Sequence, residues 1–230
     1  MERGDFVEGK GHVVGTWDPE LGQWCFRPVV EGVVCLAQTE TAALGLVDAP
    51  VVGPGMDLPL ITVVRLPMKD LTKAWYEATR VFGPYNGHPR YCEDWNLESG
   101  GDSDLGERLV APFSGVVINA FNAGGGWGRI LRILGLTPAG EVVTWMGAHL
   151  RTIYVTVGEV VTMGEDVGEI GNVDGRYAAH LHEQICVGEV PSAEVFGTDR
   201  RYDFRQPSQW YVEHGVPEAL MQRVTEMDRQ

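Results

Sequence analysis

The segment Ala179-His180-Leu181-His182 places two imidazoles at i and i+2, between a glycine-rich turn and the apolar residues Ile185, Cys186 and Val187. On a β-strand side chains alternate between faces, so His180 and His182 project from the same side. Two neutral imidazoles on one face can begin a zinc site, since histidine nitrogen is a common zinc donor. A His-x-His pair by itself is more often structural, and the weight comes from the rest of the chain. Four of the six histidines lie between positions 88 and 182. His88 opens the stretch HPRYCEDWN, which adds the carboxylates Glu93 and Asp94. His149 sits in WMGAHL, between the strand-like runs Glu141 to Trp145 and Thr152 to Val157. A catalytic zinc needs three protein ligands and one open position. One histidine and one carboxylate upstream, with one histidine downstream, meet that need and leave two histidines to work beside the metal.

The elements that must position these residues read as mainly β with minor α. Residues 1–66 form a β-rich N-terminal region, with strands expected at His12 to Thr16, Gln23 to Val30, Val33 to Gln38 and Leu60 to Arg65. The Pro/Gly-rich stretch Ala49 to Leu60 reads as a loop. Residues 67–84 read as helix and linker. Asp70 is a plausible cap, Leu71, Trp75 and Ala78 share one helical face over 69–82, and Gly83-Pro84 ends it. Residues 85–190 are rich in strands and turns and carry the chemistry. Their candidate strands are Gly115 to Phe121, Arg129 to Gly135, Glu141 to Met146 and His182 to Val187. Residues 191–230 form a C-terminal extension with one helix, roughly Pro217 to Met227.

At 230 residues the chain has ample length for a core. Its formal net charge of −14 argues against nucleic acid as the main partner, because phosphate binding calls for basic surface. No stretch has the length of a transmembrane helix. The first residues, MERGDFVEGKGHVVG, lack the apolar core of a secretion signal. Cysteines at 25, 35, 92 and 186 include no Cys-x-x-Cys pair; a Cys25–Cys35 bridge and buried thiols both remain open.

The run TVGEVVTMGEDVGEIG repeats a Gly-Glu/Asp element, the pattern of a barrel-like hybrid motif whose short strands are joined by tight glycine turns. Lipoyl and biotinyl carrier domains share it, but they need a lysine for covalent attachment, and none follows Lys73. Taken in order, HPRYCEDWN, GERLVAPFSGVV, GGGWGRILRI, GAHL, VGEVVTMGEDVGEIGNVDG and HLH resemble the lysostaphin/LytM-like zinc metallopeptidases, which cut peptidoglycan cross-bridges or stem peptides. The resemblance runs from about Tyr85 to Val190. It implies an antiparallel β-sheet, hybrid-motif core with a groove holding one Zn2+. His88, Asp94 and His182 would be its ligands, with His149 and His180 beside the metal as general base and oxyanion donor in an order that sequence leaves open. Zinc lowers the pKa of a coordinated water toward 7, and an adjacent imidazole can take and return the proton.

Two departures from the family pattern matter. Compact members space the first histidine and the aspartate as His-x-x-x-Asp, and here that position is Cys92, also a competent zinc ligand. Asp94, followed by Trp95 and Asn96, is the preferred counterpart, with Glu93 expected to point the other way into solvent. Met146-Gly147 precedes Ala148-His149 where an aromatic often stands, so Trp145 is expected to take that role. Trp127 and Tyr154 are weak candidates for the substrate groove, and covering the core is an equal reading for both. His12 and His214 read as ordinary histidines. The acidic residues of 98–107 lack the ligand spacing of a calcium loop and read as a solvated insertion bordering the groove.

The expected activity is therefore a zinc-dependent peptidoglycan endopeptidase. The alternative is a catalytically silent relative serving as a structural tail or wall-binding module. A hybrid-motif protein without zinc is a third class. The lack of an apolar secretion signal in the first residues points to a phage protein acting at the bacterial wall, as a released lysin or on the virion, with residues 1–80 expected to dock to the wall or to other tail proteins.

Overall fold

The computed structural model describes residues 12–18, 23–30, 33–34, 58–77, 92–188 and 202–225. The chain divides into two units, Met1–Asp57 with Val190–Phe196, and Leu58–Glu189 with Gly197–Gln230.

In the first unit, β1 (His12–Asp18), β2 (Gln23–Val30) and β3 (Val33–Val34) form an antiparallel meander, with Trp17 opposite Trp24 in the β1–β2 register. The expected extension of β3 to Gln38 lies outside the described residues.

The second unit is one antiparallel sheet of ten strands. These are β4 (Trp75–Glu77), β5 (Glu93–Leu97), β6 (Arg108–Val110), β7 (Gly115–Gly124), β8 (Gly128–Leu136), β9 (Val142–Ile153), β10 (Val160–Val161), β11 (Asp166–Ile170), β12 (Leu181–Val187) and β13 (Asp203–Arg205). Their order is β10-β7-β8-β9-β12-β5-β4. Strand β11 joins β9 to β6, and β13 adds to β12. Helices α1 (Pro207–Glu213) and α2 (Glu218–Thr225) follow. Strand β8 is buried from Ile130 to Gly135, and β9 from Val143 to Leu150. Such continuous burial marks central strands covered on both faces.

Three expectations change. Residues 69–82 do not begin a helix. Asp70 accepts from the Thr72 amide at 3.0 Å and hydroxyl at 2.6 Å, closing a side-chain turn, and the chain then enters β4 opposite β5. The Trp75 side chain explains the choice: it is 1% exposed and its indole N–H donates to the Asp70 carbonyl at 2.9 Å. Burial of that ring on the sheet outweighs helix propensity. Positions 78–82 of the expected helix lie outside the described residues.

Leu60 to Arg65 is likewise not a strand. It makes one parallel bridge, Leu60 to Leu136, and then runs beside the sheet with Ile61 and Leu66 buried. Pro59 and Pro67, which have no N–H to donate, frame it. Helix α1 was not anticipated.

Glu93, expected in solvent, is 1% exposed. It does point away from Asp94, and there its carboxylate accepts from the Ser208 amide at 2.8 Å and hydroxyl at 2.6 Å. Those groups belong to the first turn of α1, whose Gln206 provides no side-chain cap, so Glu93 caps the helix from across the sheet. Beside it, Glu183 is fully buried. Its carboxyl accepts from the indole N–H groups of Trp95 at 2.9 Å and Trp145 at 2.5 Å, and from the Tyr211 hydroxyl at 2.5 Å. Burial pushes the Glu183 carboxyl up to about 8 against the pull of those donors. This hub ties α1 to the back of the sheet.

Candidate metal and catalytic site

Register brings the first pair of donors together. His182 of β12 lies opposite Asp94 of β5 on one side and Ala148 of β9 on the other. Paired residues project from the same face, so the Asp94 carboxylate meets the His182 ring. The Nδ1 to Oδ1 distance is 3.0 Å. Cys92, two residues before Asp94, offers a buried thiol on the same side. One donor atom from each of Cys92, Asp94 and His182 falls within 4.8 Å of the others. Nitrogen, carboxylate oxygen and thiolate sulfur are the donor types of zinc sites. Two donors of a tetrahedral zinc stand roughly 3.3 Å apart for bonds near 2 Å, close to the observed separation. The residues present fit the metal. His88, the remaining ligand expected from sequence, lies outside the described residues.

His180, two positions before His182, lies on the same face. Its Nδ1 is 2.8 Å from the Ala178 carbonyl and its Nε2 is 3.9 Å from Asp94 Oδ1. A carbonyl can only accept, so Nδ1 carries a proton and donates it there, while Nε2 faces the carboxylate.

His149 reaches the same cluster by a different route. The two strand-like runs that flank it form one strand, β9, and alternation from Ala148 would send the His149 side chain to the back. Instead the register against β8 slips between Arg129 and Leu131, and His149 adopts φ of 63°. A left-handed backbone at a non-glycine residue costs on the order of 1 kcal/mol and is found where surrounding structure enforces it. Here the Trp127 carbonyl accepts both the His149 amide at 3.1 Å and its Nδ1 at 3.2 Å. Gly171 makes the bulge possible, because a Cβ there would come within 2.4 Å of the His149 carbonyl. The ring ends 4.6 Å from that of His180 and 5.3 Å from that of His182, centroid to centroid. Burial, and next the neighbouring His182 and His180, push its pKa down to about 3, so the imidazole is neutral.

Of the weak groove candidates, Trp127 belongs to the cluster: its ring stacks at 6.3 Å on His149 and meets His182 edge-on at 5.2 Å. Tyr154 is engaged elsewhere, donating its hydroxyl to Glu169 beneath the Arg108 guanidinium. Trp145, expected before His149 as the family aromatic, faces the back and binds Glu183. Gly147 accommodates it, since a Cβ there would lie 2.6 Å from the Trp145 ring.

Two site residues escaped the sequence reading. Tyr177 sits 5.3 Å from His149 and 6.0 Å from His180; its only signal is its place three residues before His180. Gln184, buried at i+2 from His182, puts its amide 3.0 Å from His182 Nε2, and strand parity could have found it. The 98–107 insertion is also more than solvated. Asp102 accepts from the Ala179 amide at 2.8 Å, anchoring the start of the His-Leu-His segment. Asp104 is 1% exposed, with Oδ2 making no hydrogen bond, and burial raises its pKa to about 6.

The antiparallel sheet thus gathers a histidine, a carboxylate and a thiol within 4.8 Å of one another, a donor set of the kind that holds zinc. Residues 102–193 match the model of peptidase family M23, and in this stretch the chain is similar to its lysostaphin/LytM-like members. The match contains His149, His180 and His182. The solution structure of lysostaphin is similar at 20% identity and TM-score 0.50, over 66% of this chain and 56% of that one. The antimicrobial peptidase lysostaphin from Staphylococcus simulans aligns at 21% identity and TM-score 0.46, over 65% and 54%. A structure of LytU aligns at 23% identity and TM-score 0.44, over 68% and 89%. The chain thus spans a little over half the length of the two lysostaphin chains. No curated protein sequence matches it.

Proposed function

We propose that this protein is a zinc-dependent endopeptidase that hydrolyses peptide bonds in bacterial peptidoglycan. The observation that carries the reading is the pairing of Asp94 with His182 at 3.0 Å beside the rings of His180 and His149, in a chain whose residues 102–193 match peptidase family M23. Asp94 and His182, with His88 as the third ligand, would hold the metal, and Cys92 offers a thiolate to the same group. Zinc bound there supplies a Lewis acid that polarises the scissile carbonyl and favours ionisation of water.

The remaining work falls to the chain's own groups. His180, with its proton fixed on Nδ1 by the Ala178 carbonyl, has Nε2 available to take a proton from the attacking water and return it to the departing amine. His149, neutral and with Nδ1–H held by Trp127, orients the second hydrogen of that water through its own Nε2. The Trp127 and Tyr177 rings form the walls against which the substrate backbone lies.

The test is release of new α-amino groups from purified cell walls by the zinc-loaded protein. Release that stops on chelation and returns with zinc is expected. A zinc-loaded protein that releases none from any wall type would overturn the peptidase reading in favour of a wall-binding module.

A further inference from the structure

Beside the histidine cluster lies a cavity of about 520 Å³, of ligand-pocket size. It opens between the β7–β8 hairpin and the loop of residues 171–176, and three of its lining side chains are Arg129, Arg151 and Arg176. None of the three makes an ion pair among the described residues, although the chain carries 32 acidic against 18 basic residues and Asp174 lines the same wall. Three guanidinium groups lining one cavity favour the entry of an anion.

The cavity wall uses chain segments that adjoin the histidine cluster. Leu150 and Gly171 line it, adjoining His149 in the chain and bridging to His180 respectively, and Arg129 lies two residues from Trp127. Val173 and Asp174 hold its outer wall in the left-handed region, at φ of 52° and 55°.

We propose that this arginine-lined cavity is a substrate subsite for a carboxylate carried within a residue or two of the scissile bond. The inference rests on the peptidase reading and narrows it: carboxylate-bearing stem peptides are preferred over uncharged glycine bridges. A carboxylate is favoured over the phosphate of a wall polymer because Leu150 and Gly171, the chain neighbour of His149 and the bridge partner of His180, line the cavity, and a stem peptide seated at those histidines brings its own carboxylates there.

The experiment compares two synthetic stem-peptide fragments of one sequence, one with free carboxylates and one with carboxamides, binding to the zinc-loaded full chain by calorimetry. The acid is expected to bind at least about tenfold more tightly than the amide. Arg129→Gln/Arg151→Gln/Arg176→Gln should erase that preference, whereas Arg205→Gln, on an exposed arginine paired with Asp203, should keep it. All three arginines are exposed, and zinc content verifies that the triple variant retains its fold. Equal affinity for acid and amide, or a preference that survives the triple change, would overturn the subsite. So would saturable binding of a soluble teichoic-acid phosphate polymer that the acid peptide fails to displace. Failure of the peptidase reading shows separately, as absence of amino-group release from cell walls.

Discussion

His182 and Glu183 are neighbours on one strand, both buried, both able to carry charge, and they face opposite sides of the sheet. On the front, His182 meets Asp94 at 3.0 Å in a cluster with two further imidazoles and a thiol. On the back, Glu183 receives three donors, from Trp95, Trp145 and Tyr211. The back is saturated: each donor has its acceptor and nothing remains to bind a ligand. The front gathers ligating groups, with His180 Nε2 3.9 Å from the Asp94 carboxylate and the His149 ring 4.6 Å from that of His180 between centroids. Chemistry resides where acceptors outnumber donors, and architecture where the two are matched.

Substitutions can break this contrast. His180→Ala should lower the rate of cell-wall hydrolysis by about 10²–10⁴-fold. Because that ring's one firm bond is to the Ala178 carbonyl, folding stability should change by under about 1 kcal/mol, as read by thermal unfolding. Glu183→Ala should do the opposite. It orphans three buried donors, costing about 4 kcal/mol and lowering the melting temperature by about 10 °C, while the protein that remains folded keeps its turnover per zinc. A Glu183→Ala protein of unaltered melting temperature would show that the back is not what holds the sheet to α1.

Gln184→Ala sharpens the front. A metal on Nδ1 of His182 places a proton on Nε2, and the Gln184 amide can turn its carbonyl to accept it. Zinc affinity, measured by competition with a chelator, should fall about 10–100-fold. Unaltered affinity would place the amide outside the metal's hydrogen-bond network.

The smallest effect concerns Asp104, a buried acid on the front with one oxygen lacking a hydrogen bond. Its folded-state pKa, about 6, lies above the ordinary carboxylate value of 3.8. The folded protein therefore holds a proton that the unfolded chain releases. That contribution to stability is complete below about pH 4 and is lost as pH rises through about 6. Asp104→Asn should flatten this part of the stability curve, and a slope that persists in the variant would assign it to another group.

The front face was largely legible in the sequence, the back hardly at all. Parity places His180 and His182 together, and the expected strand His182 to Val187 is found as Leu181–Val187. Asp94 follows from the resemblance, and the register then pairs it with His182. His149 is a different matter. Alternation sends it to the wrong face, and only a bulge with a left-handed backbone returns it, a feature set by Gly171 and the Trp127 carbonyl from distant segments. Glu93 misled for a related reason: a carboxylate in a strand reads as solvated until α1 arrives to satisfy it. Trp75 shows the same limit, since its helical spacing with Leu71 and Ala78 yields to pairing with β5. Local pattern identifies which face a residue takes; it does not identify what long-range partner covers that face.

The central claim is that the front cluster holds one zinc. The direct measurement is the zinc content of the purified protein and of its His182→Ala variant, by elemental analysis after dialysis. One zinc per chain in the wild type and none in the variant is the expected result. Equal zinc in both proteins, or none in a wild type supplied with the metal, would contradict it.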